Sequence, residues 1–166
     1  MTIIRYDQRD ASESLILTES GSYRVEIAAE GVELQIRGGW HTRDTEDIEI
    51  KLDIVHQVGH TRSNTLLRGV AQDRSRISLS GTIIIEAGAQ DTNAFLTENI
   101  LLLSDHARAE AIPNLEIMAN EVKCSHAATV ARIPEEHLFY LMSRGLKKEV
   151  AEALIIEGFL AEVLKI

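Results

Sequence analysis

The sequence holds one cysteine and six histidines, and one of those histidines stands two residues after the cysteine. In an extended segment, side chains two residues apart point to the same face, so the thiol of Cys124 and the imidazole of His126 would lie side by side. Sulfur and nitrogen donors together suit iron, zinc or a sulfur species. Two ligands from one strand do not complete a metal site by themselves. The alternative to a metal or sulfur site is a buried structural cysteine beside a hydrogen-bonded histidine.

A second histidine pair, His56 and His60, has the spacing that places two zinc ligands on one face of a helix. The segment follows a strand-like run and contains Gly59, so the two rings have no helical reason to converge. A free-standing metalloenzyme would combine this pair with His106, yet no motif places a general base or a further ligand. We therefore expect no metal site at this pair.

The common catalytic signatures are missing from the sequence. It contains no GxxxxGK[ST] or GxGxxG phosphate-binding loop, no GxSxG nucleophile elbow and no CxxC pair. Carboxylates such as Glu33 and Glu49 alternate with apolar residues, which is typical of the solvated face of a strand. The sequence therefore predicts a chain that does not hydrolyse ATP by itself.

The amino-acid composition further narrows the kinds of protein that this chain can be. The 166 residues fit one domain and carry 26 Asp and Glu against 17 Lys and Arg, a formal net charge of −9, which repels nucleic acids and acidic membrane surfaces. The 46 Ile, Leu and Val residues against seven aromatic residues predict an aliphatic core and leave no row of rings to stack bases or sugars. With no leader, no long apolar run and no possible internal disulfide, we expect a soluble, cytoplasmic protein.

Alternating apolar residues predict short β-strands from residue 1 to about residue 130. One run is Ile48, Ile50, Leu52 and Ile54, with charged residues at the intervening positions. Glycine-containing turn signals recur at roughly ten-residue spacing, as in all-β proteins. Sandwiches, barrels and solenoids share this pattern, and no strict period of identical residues selects among them.

Two helices are predicted after the strands. Pro134 suits the first turn of a short helix and Arg144-Gly145 its end. The second helix, from about Lys147 to Leu164, carries apolar residues on nearly all sides. These apolar residues form two stripes along the helix. Either one stripe docks another chain, or the two helices and the sheet cover both stripes internally. The pattern alone leaves both alternatives open.

Six segments, in the same order, resemble the SufB/SufD family of iron–sulfur cluster assembly proteins. They run from about Val55 to the C-terminus, roughly two-thirds of the chain. They are His60-Thr61-Arg62-Ser63, Ser80-Gly81-Thr82-Ile83, Asn99-Ile100-Leu101-Leu102-Leu103-Ser104-Asp105, Pro113-Asn114-Leu115-Glu116-Ile117, Val122-Lys123-Cys124-Ser125-His126-Ala127-Ala128-Thr129 and Leu138-Phe139-Tyr140-Leu141, the last followed after one residue by Ser143-Arg144-Gly145-Leu146.

The resemblance implies a mainly β protein, with a right-handed parallel β-helix over residues 1–132 and a two-helix subdomain over residues 133–166. It implies a non-catalytic scaffold or partner subunit that pairs, as a homodimer or a heterodimer, with a SufB/SufD-like β-helix. A SufC-like ABC-type ATPase would dock on the helical tail. The residues then expected at or behind that docking surface are Phe139, Tyr140, Arg144, Ile155 and Phe159.

The resemblance also makes Cys124 and His126 the expected contacts of a transient iron–sulfur cluster. Two departures bear on that expectation. SufB-type members carry a cysteine where this chain has Ala107 and a glutamate where it has Ala127, so the motif resembles the SufD version. The alternative is a structural or regulatory interaction module that has lost cluster chemistry.

Overall fold

The computed structural model describes residues 1–164, whose eleven β-strands form two parallel sheets. Sheet A contains, in spatial order, β1 (Thr2–Tyr6), β3 (Gly21–Ile27), β5 (Asp47–His56), β7 (Arg76–Ile85) and β10 (Asn114–Ile117), and β9 (Arg108–Ala111) also pairs with β7. Sheet B contains β2 (Ser12–Leu17), β4 (Glu33–Thr42), β6 (Arg62–Ala71), β8 (Thr92–Leu102) and β11 (Val122–Arg132).

The chain passes back and forth between the two sheets, and this makes a β-solenoid of about four turns. Strand pairing shows how far each turn advances along the chain. Glu33 pairs with Arg62, and Arg62 pairs in turn with Asn93, so these two turns are nearly equal in length. The first turn is shorter, since Ser12 pairs with Glu33. The predicted parallel β-helix followed by two helices is confirmed.

The aliphatic excess of the sequence fills the interior of the solenoid. In β5 the alternating residues Ile50, Leu52 and Ile54 are completely buried, and equivalent positions of the neighbouring strands stack on them. Burying a side chain of this size contributes about 1.5–3 kcal/mol. The ladder of branched residues therefore holds the two sheets together.

Tight corners join the sheets, and one of them requires a glycine. A Cβ at Gly59 would lie 2.4 Å from the carbonyl oxygen of Gln90 on the next turn, which is closer than atoms can approach. The same corner is fixed by a hydrogen bond from the amide of His60 to that carbonyl, at 2.9 Å. Gly59 thus permits successive corners to stack.

Two helices follow the solenoid: α1 (Glu135–Ser143) and α2 (Lys148–Leu164). Pro134 stands at the N-cap of α1, immediately before the helix. α2 packs on the outer face of sheet B, over β4 and β6. Residues 165–166, the end of the predicted helical subdomain, lie outside the described residues. Neither described helix is long and apolar enough to cross a membrane.

Candidate functional site

Cys124 and His126 lie on β11, at the end of the solenoid. Strand pairing places Cys124 beside Ala94 and His126 beside Leu96. Both of these β8 residues are buried in the core, so the inner face of β11 is the one that carries the thiol and the imidazole. The two predicted donors share a face, as their spacing required.

The two side chains differ in environment. Cys124 is half-buried and packs against the core, and this burial raises the pKa of its thiol because the thiolate loses hydration. His126 is exposed. The site therefore presents an accessible imidazole next to a thiol that stays protonated at neutral pH.

β11 is the last strand of sheet B and pairs with β8 along its whole length. Along its other edge, no strand of the described chain pairs with it. Its inner face and the neighbouring end of sheet A expose the apolar side chains of Val130, Ile117 and Met118, at 43%, 42% and 57%. We call β11 together with these side chains the open end of the solenoid.

A buried carboxyl group lies one strand below the open end. Glu98 on β8 pairs with Ala128 of β11 and is completely buried, yet neither carboxyl oxygen has a well-formed hydrogen bond among the described residues. Gly81 provides the space, since a Cβ there would lie 2.8 Å from the Oε1 atom of Glu98. Burial raises the pKa of Glu98 to about 7, and the nearby backbone N–H of Gly81 offsets only part of this effect.

The sequence reasoning missed Glu98, although a signal was present. Glu98 alternates with Leu96 and Ile100 on the inward-facing positions of β8, and both of these neighbours are about 1% exposed. A glutamate in phase with buried residues is expected to be buried as well.

The histidines of the other candidate pair do not converge. His56 is completely buried, with Nδ1 2.8 Å from the hydroxyl of Thr61 and Nε2 2.9 Å from that of Ser63. Burial lowers the pKa of His56 to about 4, so the ring stays neutral. His60 instead lies on an exposed corner, 2.9 Å from Asp91. In the described part of the chain, no three His, Cys, Asp or Glu side chains are grouped as metal ligands.

The helical tail, which consists of α1 and α2, carries the residues that were predicted at or behind a docking surface. Among the described residues of α1, no side chain is buried, and Phe139 and Tyr140 are 75% and 57% exposed. The guanidinium of Arg144 lies 5.3 Å from the centre of the Tyr140 ring, within the range of a cation–π contact. α1 and the residue that follows it thus display two aromatic rings and a cation to solvent.

α2 is held to sheet B mainly through its C-terminal half. Leu160 and Val163 are buried against Val70 of β6. Gly39 of β4 lets the helix approach, because a Cβ there would lie 2.6 Å from a methyl carbon of Val163. The opposite side of the helix remains exposed, and Leu154 is 47% accessible. The sheet therefore covers some apolar side chains of α2, including Leu160 and Val163, and leaves others, including Leu154, exposed.

Two arginines of sheet B hold the C-terminal end of α2. Arg68 stacks over the Phe159 ring at 4.9 Å, donates a hydrogen bond to the Phe159 carbonyl oxygen, and pairs with Glu162. Arg37 donates to the Glu162 carbonyl oxygen at 2.7 Å. Cations at the C-terminus of a helix also complement its dipole. Phe159 is consequently half-buried in this contact, and Ile155 is half-buried as well.

Comparison with known proteins gives a consistent family. The family model for the SufBD core domain of SUF system FeS cluster assembly matches residues 18–159. The Escherichia coli iron–sulfur cluster assembly protein SufD is 40% identical over 108 residues, which are 65% of this chain and 26% of that protein. The Bacillus subtilis protein SufD is 41% identical over 111 residues, 67% of this chain and 25% of that protein.

Another relative matches a longer part of the chain. An iron–sulfur cluster assembly SufBD family protein of Mycobacterium tuberculosis is 33% identical over 148 residues, 84% of this chain and 37% of that protein. The chain therefore spans between a quarter and two-fifths of the length of these relatives.

Proposed function

Because the chain belongs to the SufBD family of iron–sulfur cluster assembly proteins, we propose that it is a non-catalytic scaffold or partner subunit of a SUF-type assembly system. The observation that carries the proposal is the combination of two unpartnered surfaces: the open end of the solenoid with Cys124 and His126, and the exposed aromatic face of α1. Among the described residues, no three His, Cys, Asp or Glu side chains form a group that could hold a metal ion. Residues 1–132 would be the β-helix core and residues 133–166 the docking subdomain.

The first role is pairing through the open end, either with a second copy or with a SufB/SufD-like subunit. An 11-residue strand with one free edge is a template for another strand, and the apolar side chains beside it favour burial. A partner's strand along β11 would satisfy the free backbone groups and cover Val130.

Replacing Val130 by Glu is expected to convert a dimer at micromolar concentration into a monomer, because the charge would be buried at the interface. Light scattering measures the mass. Ile3→Glu is the matched control, since Ile3 is 58% exposed on β1 at the opposite end of the solenoid, and it should leave the dimer intact. If the wild type is a monomer both alone and with a SufB/SufD-like subunit, pairing is refuted.

The second role is contact with a cluster that is cargo rather than a resident cofactor. The thiol of Cys124 and the imidazole of His126 are donors that suit iron and sulfide chemistry, and their shared face lies at the open end, where a paired subunit would add further donors.

Anaerobic incubation with iron and sulfide should give the wild type, alone or with its partners, an absorbing chromophore that is lost in Cys124→Ala and in His126→Ala. Ser125→Ala is the control, because Ser125 lies between the two on the opposite face of β11. A wild type that acquires no chromophore in either setting would remove the cluster role.

A second candidate function is an interaction module without cluster chemistry. Ala107 and Ala127 stand where SufB-type members have a cysteine and a glutamate, and the raised pKa of Cys124 disfavours the thiolate that binds metals. This alternative predicts slow modification of native Cys124 by a thiol reagent. The cluster role predicts that modification blocks chromophore formation.

The third role is docking of an ABC-type ATPase on the helical tail. Phe139, Tyr140 and Arg144 would face the ATPase directly, while Ile155 and Phe159, being half-buried, would support the surface from behind. Aromatic and arginine side chains dominate binding energy at interfaces, and the end of α1 exposes two aromatic rings beside an arginine.

The double variant Phe139→Ala/Tyr140→Ala should weaken binding to the purified ATPase by at least about tenfold, the loss of a strong contact pair. Calorimetric titration measures the affinity. Phe95→Ala serves as the control, because Phe95 is 42% exposed on β8, away from the tail. Equal affinity of the double variant and the wild type would place the ATPase elsewhere.

A further inference from the structure

One corner of the solenoid forms a cleft that none of the proposed roles uses. It has a volume of about 430 Å³ and lies where three successive turns pass from sheet B to sheet A. We call it the corner cleft. Its lining residues are Thr45, Glu46, Asp47, Arg74, Arg76, His106 and Arg108.

The solenoid register arranges the basic residues of the corner cleft as an array. Arg76 pairs directly with Arg108 on the next turn, and Arg74 and His106 each stand two residues earlier. Ser75 and Ala107, the residues between them, are buried, so the four basic side chains point outward. Two adjacent turns thus present three guanidinium groups and one imidazole to the same space.

Three carboxylates, of Glu46, Asp47 and Glu110, stand around this array, but none of them forms a close ion pair with Arg74 or Arg108. Arg76 is bracketed by Asp47 at 3.6 Å and Glu110 at 3.8 Å, both longer than direct hydrogen bonds. Among the described residues, no carboxylate lies within ion-pair distance of Arg74 or Arg108. The Glu46 carboxylate, although it lines the cleft, accepts the backbone N–H of Arg43 at 2.9 Å and is held in its own turn.

Like charges placed directly opposite each other on neighbouring strands are destabilising. An anion in the cleft would relieve this repulsion. Guanidinium groups present paired N–H donors whose spacing matches the oxygens of a phosphate, and two such groups on adjacent turns can bind one phosphate from both sides.

We propose that the corner cleft binds a phosphate-type oxyanion, with Arg74 and Arg108 as its main donors and Arg76 and His106 as flanking donors. The ligand is either free inorganic phosphate or the phosphate chain of a larger molecule. The lining residues of the site differ from the residues assigned to the open end and to the helical tail, so the proposal stands or falls independently of the proposed function.

Calorimetric titration of the full chain at low ionic strength, with inorganic phosphate in one arm and pyrophosphate in another, tests the proposal. Saturable binding is expected in at least one arm. Tighter binding of pyrophosphate would identify a phosphate chain as the ligand, and equal or tighter binding of inorganic phosphate would identify the free ion.

The double variant Arg74→Gln/Arg108→Gln should bind at least about tenfold more weakly, since it loses two charge-assisted contacts. Arg5→Gln/Arg62→Gln removes the same charge from exposed positions outside the cleft and should bind nearly as well as the wild type. Single variants at Arg74 and at Arg108 replace the double variant if it does not fold. Absent saturation in both arms, or equal weakening in the two double variants, would overturn the proposal.

Discussion

Replacing Glu98 by Gln is expected to raise the free energy of unfolding at pH 8 by about 3 kcal/mol and to leave it nearly unchanged at pH 4. The carboxyl of Glu98 is completely buried and has no well-formed hydrogen bond among the described residues. An ionised carboxylate in that position loses its hydration without adequate compensation. The amide of glutamine has nearly the same shape and never ionises.

The sign of the pH dependence follows from the two states of the chain. The pKa of Glu98 is raised from 4.5 to about 7 by folding, so the folded protein holds this proton more tightly than the unfolded chain does. The contribution of protonated Glu98 to the free energy of unfolding is fully present below pH 4.5 and is lost as the pH rises through 7. Glu98→Gln removes that loss, so the stability of the variant depends less on pH between 4.5 and 7.

Urea unfolding at the two pH values measures the effect. Glu116→Gln is the matched control, because Glu116 is an exposed carboxylate on β10, and it should change stability by little at either pH. A Glu98→Gln variant that gains the same stability at pH 4 and pH 8, or loses stability at pH 8, would show that the carboxyl is not buried and unpaired.

Arg68→Ala is expected to lower the free energy of unfolding by about 2 kcal/mol and to release the C-terminal half of α2 from sheet B. Arg68 stacks on Phe159 and hydrogen-bonds both the Phe159 carbonyl and Glu162, so one side chain supplies three contacts to the helix. Removing it also leaves the end of α2 with Arg37 as its remaining cationic partner from sheet B.

Hydrogen exchange of the amides in residues 156–164 should therefore accelerate in Arg68→Ala, while the amides of the solenoid interior keep their protection. Arg62→Ala is the control. Arg62 lies on the same strand and is exposed, but it pairs with Glu33 rather than with the helix. Unchanged exchange in Arg68→Ala would mean that the packing of Leu160 and Val163 alone holds α2 in place.

The strands could be predicted from the sequence, but the length of the solenoid turn could not. Alternation in runs such as Ile50, Leu52 and Ile54 marks each strand by itself. The turn length differs from one turn to the next, because the corners absorb insertions while the strands stay in register. Residues that stack in successive turns share their position in the turn and their degree of burial, but not their identity. A search for repeated residues therefore finds no period. The family resemblance selected the solenoid instead.

The candidate site, like the fold, could be predicted from the sequence only in part. Cys124 and His126 share a strand, so their common face follows from local geometry. The contact between Arg68 and Phe159 joins residues 91 positions apart, and no local pattern indicates that this ring is half-covered while Phe139 is exposed. Glu98 could have been found from its alternation with Leu96 and Ile100, but its lack of a partner depends on the opposite sheet, where Gly81 faces it.

Isolation of the chain from its native cells under anaerobic conditions, with identification and quantification of the proteins bound to it, tests the central claim most directly. We expect an ABC-type ATPase in stoichiometric amount, together with a second SufB/SufD-like subunit or a second copy of this chain. Loss of the ATPase alone is expected in the Phe139→Ala/Tyr140→Ala variant. Recovery of the chain without an ATPase, while the cell's other SUF proteins are recovered bound to one another, would contradict a role as a subunit of that assembly.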